Sequence, residues 1–313
     1  MTQTQTLDYP TPKLDIVSCN DLAHRLGVKP ERLREIAEQA ASFYRPFDFV
    51  PRPRPFQKRD PPAPRPIDRP VGDLKAIQKK INSVLLRPLI FPPHVMGAVP
   101  FRSILDNSAV HVGAPLLVTV DVRRCFPSVS NKQIYRVWRD VLGCSAKVGA
   151  LLTRLTTFER RLPQGAPTSP LLANLFIWSI DGPIRAECTH LGLKYTTWID
   201  DLAFSGIRAR EIVQVAIETL ASERLAVSRY KVRIMGPRAV KLLTGTRLGR
   251  DRARAPRELT ARVRSGLNKL GEGAIPLEDE EQYAQSLKAR IRHIERVCSE
   301  DIRTFYRCGV SPL

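Results

Sequence analysis

No stretch of this 313-residue chain approaches the roughly 18 consecutive apolar residues that a membrane-spanning helix needs. Residues 1–10 have neither the basic start nor the apolar run of a secretory signal, so no membrane partner and a cytoplasmic location are expected. No CxxC pair occurs among Cys19, Cys125, Cys144, Cys188, Cys298 and Cys308, which argues against zinc and against a disulfide framework in a chain of this length. Most of these cysteines are expected to be reduced, buried and structural. No internal repeat recurs at the periods of solenoids or propellers.

Acids are also in short supply. Against 50 Lys and Arg stand 31 Asp and Glu, a formal charge of +19 in a chain that is otherwise globular in composition, 43% hydrophobic and 26% charged. Such an excess favours a polyanionic partner, because each neutralised phosphate releases counterions and adds affinity. Nucleic acid therefore ranks above a membrane surface.

The few acids that remain are placed tellingly. In Tyr195-Thr196-Thr197-Trp198-Ile199-Asp200-Asp201-Leu202-Ala203-Phe204-Ser205, two adjacent carboxylates sit between strand-like runs, which predicts a hairpin with the acids at its turn. Asp-Asp is a poorer turn pair than Asn-Gly. Two anions side by side repel unless a cation such as Mg²⁺ compensates them. Taken alone, the pair also fits a solvated turn, so other stretches decide. Leu116-Leu117-Val118-Thr119-Val120-Asp121 reads as a buried central strand delivering a third carboxylate at its end. Phe126-Pro127 follows within a few residues, which keeps an aromatic ring close to that acid.

Around these acids the chain alternates helix and loop. Two short helices are predicted within residues 15–43, the first with Asn20 as N-cap and Gly27 closing it, the second after Lys29-Pro30 with Leu33, Ile36, Ala37, Ala40 and Phe43 inward. His24 reads as a surface or packing residue. Nine of the 26 prolines fall in residues 46–70, interleaved with Arg52, Arg54, Lys58, Arg59, Arg65 and Arg69, which excludes regular helix and predicts edge strand and turns. A helix follows with Leu74, Ile77, Ile81, Val84 and Leu85 on its apolar side, and residues 131–158 are helical. Leu162-Pro163-Gln164-Gly165-Ala166-Pro167-Thr168-Ser169-Pro170 is a loop entering an almost wholly apolar helix. Its glycine admits a close ligand and the helix start favours anions, a natural nucleotide seat. Another amphipathic helix spans 211–224. Residues 229–264 carry twelve Lys or Arg against Asp251 and Glu258, with a Thr244-Gly245 turn inside, and read as a phosphate-contacting tract; residues 259–297 return to helical spacing.

One acid at a strand end and two at a hairpin turn, with a Gly-containing seat and a basic tract, fit two-metal phosphoryl transfer, in which ions roughly 3.5 to 4 Å apart activate the attacking oxygen and stabilise the leaving one. Carboxylates without His or Cys select a hard ion, Mg²⁺ first.

These residues carry a resemblance over about 14–307 to bacterial reverse transcriptases, and among them to those of retrons. Residues 117–129 resemble the strand with the first catalytic acid, Gln164 to Pro170 is similar to the nucleotide-seat motif, and Trp198-Ile199-Asp200-Asp201 to the catalytic hairpin, usually Tyr-Ala-Asp-Asp. Asn107-Ser108-Ala109-Val110-His111 looks like an Asn-Ala-x-x-His motif and Leu243-Thr244-Gly245 like Val-Thr-Gly, both of retron flavour. The chain departs from the family pattern at Trp198, at Cys125 for a phenylalanine, at Ser228 for an asparagine, and in the proline-rich loop before Arg65; none touches the three acids.

The resemblance implies an α+β right-hand polymerase of fingers, palm with an antiparallel sheet, and helical thumb, divided as a helical extension at 1–45, fingers and palm at 46–245, and a basic thumb at 246–313. It implies Asp121, Asp200 and Asp201 as catalytic and metal-binding residues, with the Val122 carbonyl as a further ligand for two Mg²⁺ ions. Arg65, Phe126 as steric gate, Gln164, Gly165 and Lys231 would hold the deoxynucleoside triphosphate. Asn107, His111, Leu243, Thr244, Gly245, Arg247 and Arg250 would meet a cognate structured RNA that is both template and primer, yielding RNA-linked DNA. A role in phage defence with a separately encoded effector is implied as well. The rival expectations are a reverse transcriptase of another bacterial class, which would lack a bound structured RNA, and a non-catalytic RNA-binding scaffold, for which Mg²⁺ would be irrelevant.

Overall fold

The computed structural model describes residues 12–50 and 64–297. Most of the proline-rich stretch, including Arg52, Arg54, Lys58 and Arg59, and also Cys298 and Cys308, lie outside the described residues. Contacts divide the chain into two units, 1–102 with 116–234, and 103–115 with 235–313. The second unit takes in a 13-residue segment, 103–115, from the middle of the first.

The first unit begins with α1 (Cys19–Arg25) and α2 (Pro30–Glu38). The N-cap of α1 is Ser18, whose hydroxyl accepts from the Asp21 N–H at 3.1 Å; Asn20, expected to cap, lies inside the helix. Pro30 opens α2 where its missing N–H costs nothing, and Leu33, Ile36 and Ala37 are buried as their spacing predicts. These helices share the main hydrophobic core with the rest of the unit. β1 (Tyr44–Phe49) pairs antiparallel with β2 (Arg65–Pro70) as a two-stranded ribbon, which tolerates Pro46 and Pro66 because no central ladder is interrupted. α3 (Gly72–Lys80) buries Leu74 and Ile77 and runs into a wider-wound turn, Ile81–Leu86, burying Ile81 and Leu85. Val84, expected inward, is exposed, because the wider winding moves it off the apolar stripe.

After α4 (Ile104–His111), which belongs to the second unit, the chain forms β3 (Leu117–Asp121), a single turn α5 (Cys125–Ser128), α6 (Asn131–Arg136) and α7 (Ala146–Thr156). Ser130 and Gln133 form a reciprocal capping box at the start of α6. α8 (Ser169–Ile180) buries nine of its twelve residues, as a helix apolar on every side must. α9 (Gly182–His190), the hairpin β4 (Lys194–Trp198) and β5 (Asp201–Ser205), α10 (Ile212–Ser222) and β6 (Arg233–Met235) complete it. The central sheet has the order β4-β5-β3-β6, so β3 and β5 are interior strands with helices covering their apolar side chains.

The second unit is a sheet of β7 (Lys241–Leu243), β8 (Thr246–Leu248) and β9 (Ala253–Arg254) in sequential order, with α11 (Arg257–Gly271) and α12 (Leu277–Val297). Its small core joins Ala255, Val263 and Ile294 to Ile104 and Leu105 of α4. A Cβ on Gly266 would lie 2.6 Å from Leu287 Cδ2, so this glycine sets how closely α11 and α12 approach. Among the described residues no helix is long and apolar enough to cross a membrane.

Candidate active site

The register of the central sheet brings the three acids together. β3 pairs antiparallel with β5 so that Asp121 lies directly opposite Asp201, and β4 pairs with β5 so that Trp198 lies opposite Asp201 as well. The turn therefore consists of Ile199 and Asp200, and Asp201 is the first residue of a strand; the expected turn shifts by one residue. Ile199 has φ +58°, a conformation a β-branched residue adopts only under constraint from its surroundings. The constraint is visible. Thr197 N–H donates to the His94 carbonyl at 2.7 Å, and Met96 N–H donates to the Thr197 carbonyl at 2.8 Å, so residues 94–97 lash the free edge of β4. Gly97 packs against the turn so closely that a Cβ there would meet Ile199 N at 2.7 Å and the Trp198 carbonyl carbon at 2.9 Å. Asn174 of α8 holds the Gly97 carbonyl at 2.5 Å.

Backbone bonds fix the first acid to its neighbours too. Val122 N–H donates to the Asp200 carbonyl at 2.9 Å, and Ser228 N–H donates to the Asp121 carbonyl at 2.9 Å. Lys231 Nζ donates to both carboxylate oxygens of Asp121, at 2.9 and 2.8 Å. Burial, followed by the charges of Asp200 and Asp121 and a hydrogen bond to Asp121, pushes the Asp201 carboxyl up to about 7, with Lys231 opposing. Asp200 is also raised, by burial first and then by Asp121, while Lys231 and Arg65 pull it down. Arg65 thus acts electrostatically on the acid cluster from β2. Burial raises the thiol of Cys125, with Asp200 and Asp121 adding to it, so this cysteine is an inert wall.

Among the described residues no three His, Cys, Asp or Glu side chains converge tightly enough to enclose a metal ion. The donor chemistry nevertheless fits a hard divalent cation: three partly desolvated carboxylates, two with raised protonation, carry a repulsion that such a cation removes. Lys231 supplies part of that compensation and would have to release Asp121 to make room.

The seat loop lies on the β1–β2 ribbon. Asp68 N–H donates to the Gln164 carbonyl at 2.8 Å, and Gly165, with φ +116°, sits where a Cβ would meet Ile67 Cγ2 at 2.8 Å. Beside Gln164 a cavity of about 380 Å³ is lined also by Pro66, Asp68, Arg124, Pro127, Ser128 and Arg161. Phe126 is half-buried, packed against the core.

In the second unit Leu243, Thr244, Gly245 and Arg247 share the β7–β8 hairpin with Asn107 beside its turn, whereas Arg250 lies in the next turn, between β8 and β9. Leu243 pairs with Thr246, leaving Thr244 and Gly245 as a two-residue turn with φ +43° and +82°. Asn107 and His111 are buried, 1% and 0% exposed, and Asn107 Nδ2 donates to Thr244 Oγ1 at 3.2 Å. Gly245 and Arg250 are exposed, and Arg247 is half-buried. Sequence reasoning missed Gly97, Asn174 and His94, whose partners lie far away in the chain; a lone glycine in an apolar stretch was the one local signal.

Comparison with known proteins agrees with this geometry. Residues 56–246 match the family described as reverse transcriptase (RNA-dependent DNA polymerase). The Retron Ec86 reverse transcriptase of Escherichia coli is 30% identical over 209 residues, 66% of this chain and 65% of that protein. The Retron Mx162 reverse transcriptase of Myxococcus xanthus is 30% identical over 303 residues, 83% of this chain and 60% of its own length. The Retron Se72 reverse transcriptase of Salmonella heidelberg is 28% identical over 190 residues, 61% and 48%. The chain thus spans about half to two-thirds of these relatives.

Proposed function

Because the chain belongs to the reverse transcriptase family, we propose that it is an RNA-directed DNA polymerase of retron type. The observation that carries the reading is the direct opposition of Asp121 and Asp201 across β3 and β5, with Asp200 in the adjoining turn.

In this reading the fold is a right hand, with the β1–β2 ribbon in the fingers, the central sheet as palm and the second unit forming the thumb. Asp121, Asp200 and Asp201, with the Val122 carbonyl, hold two Mg²⁺ ions. When bound, the ions lower the cost of charge on the attacking 3′ oxygen and on the departing pyrophosphate. The side chains do the rest. Arg65 attracts the triphosphate, and Lys231, once released from Asp121, donates a proton toward the leaving group. Gln164 and Gly165 seat the nucleotide, and Phe126 crowds the 2′ position of a ribonucleotide. The turn at Thr244-Gly245, with Arg247 and Arg250, contacts a structured non-coding RNA that serves as template and primer, a reading supported by relatives that are named retron reverse transcriptases. A defence role with a separate effector is the corresponding biological reading.

The test is to purify the chain with the RNA it retains, supply labelled deoxynucleotides and Mg²⁺, and treat the product with ribonuclease. A labelled DNA that shortens but survives supports the RNA-linked product. Synthesis only on added primed templates points to another class of reverse transcriptase.

A further inference from the structure

Behind the seat loop the chain closes a ring of contacts that the proposed chemistry does not use. Asp68 is the buried acid of β2, its side chain 7% exposed, and Nη2 of Arg161 lies 3.3 and 3.4 Å from its two carboxylate oxygens. Three residues beyond Arg161, the Gln164 carbonyl accepts the Asp68 N–H at 2.8 Å. One residue of the ribbon is thus gripped twice by one short segment of the loop, once through its side chain and once through its backbone. The register puts Asp68 opposite Pro46, and a proline is best accommodated where a pair exchanges no ladder bonds, so the Asp68 N–H faces the outer edge of the ribbon.

Arg161 stands on a braced base. Phe158 and Arg161 exchange backbone bonds of 2.9 Å in both directions across a two-residue turn, Asn131 N–H donates to the Arg160 carbonyl at 2.9 Å, and Leu162 N–H donates to the Val129 carbonyl at 2.8 Å. Its Nη1 also holds the exposed Glu159 at 2.6 Å. A two-stranded ribbon such as β1–β2 is marginal by itself and takes its position from what it packs on. Strand alternation puts Arg65 and Ile67 on one face of β2 and Pro66 and Asp68 on the other. On the first face Ile67 meets Gly165, and Arg65 pulls the Asp200 carboxyl down. On the second, Asp68 and Arg161 line the cavity of about 380 Å³, which leaves the ribbon room to move once the ion pair is broken.

We propose that Asp68 and Arg161 are a positioning pair: from behind the seat they fix the distance between β2 and Gln164, and so set how tightly a deoxynucleoside triphosphate is held, without touching it. The inference rests on the reading of Gln164 and Gly165 as the nucleotide seat. Breaking the pair lets β2 lift, which moves Arg65 away from Gln164 and weakens the bound complex. The three acids, carried by the central sheet, keep their register.

The test is equilibrium dialysis of radiolabelled dGTP against the full chain in Mg²⁺, on an RNA template presenting cytosine to a primer that ends in a dideoxynucleotide. Single-nucleotide incorporation on the extendable primer is measured beside it. Asp68→Asn keeps the shape and the N–H and removes the charge; Arg161→Met keeps much of the length and removes the donors. Each is expected to raise Kd and KM about five- to tenfold with kcat within about twofold, and the double variant to raise them no further, since both break one contact. Asp68→Asn alone decides where Arg161→Met fails to fold. Asp68→Asn binding dGTP like wild type overturns the inference, and so does a fall in kcat with KM unchanged, which is what a mere loss of folded enzyme gives. Losses that multiply in the double variant overturn it as well. Wild type that binds dGTP without extending the primer would sink the polymerase reading and leave Kd to decide this one; wild type that binds none would overturn it.

Discussion

At the scale of single residues the site is governed by charge that the chain does not fully compensate. Asp201 is raised to about 7 by burial and by its two acidic neighbours, with Lys231 the main counterweight. A carboxyl raised in the folded state destabilises it once ionised, so in the metal-free chain stability should fall as pH rises from about 4 to about 7 and stay low above. Asp201→Asn should remove that dependence and raise Tm in EDTA at pH 7.5 while lowering synthesis; thermal melts at pH 5 and 7.5 check both signs. An unchanged melt at both pH values would show that the repulsion is relieved elsewhere. Phe126 gives a second test at this scale. If its ring crowds the 2′ position, Phe126→Val should raise the ratio of ribonucleotide to deoxynucleotide incorporation about tenfold or more, a range consistent with removing a steric block in a pocket. The identities of these residues were legible because the carboxylates are few and each ends or begins a strand pattern. That Asp201 stands in the strand and Ile199 in the turn was not, since register depends on which residue of β3 lies opposite, 80 positions earlier in the chain.

At the scale of elements, the turn is shaped from outside itself. Gly97 lies against the backbone at Trp198 and Ile199, too close for any side chain. Gly97→Ala must push the turn away and shift Asp200, so synthesis should fall at least about tenfold, because small displacements of reacting groups cost that much. The fold should persist: circular dichroism unchanged with activity lost is the expected pair of results, and full activity would show that the turn tolerates the shift. In the second unit, Gly266→Val should force α11 and α12 apart at Leu287 and destabilise that unit by about 1 to 3 kcal/mol, measurable as earlier loss of its amide protection in hydrogen exchange. The helices themselves were readable from apolar spacing, and their caps partly so. The membership of α4 in the second unit was not, because its partners Thr244 and Thr246 lie more than 130 residues away.

At the scale of the whole molecule, the +19 charge sets the expected behaviour toward nucleic acid. Composition alone points to that partner class, though not to where the cations gather. RNA affinity should fall steeply with salt, and Arg247→Ala should reduce the slope of log K against log salt by about 1, as loss of one phosphate contact does. The proposed chemistry belongs to this scale too: the three acids brought together by β3 and the β4–β5 hairpin are proposed to transfer deoxynucleotides onto a primer directed by RNA. The most direct measurement is single-turnover incorporation of a labelled deoxynucleotide on a primed RNA template with and without Mg²⁺, comparing wild type with Asp121→Asn and Asp200→Asn. Mg²⁺-dependent extension is expected in wild type, with a loss of about three orders of magnitude in each variant. No extension by wild type, or extension that survives both substitutions, would contradict it.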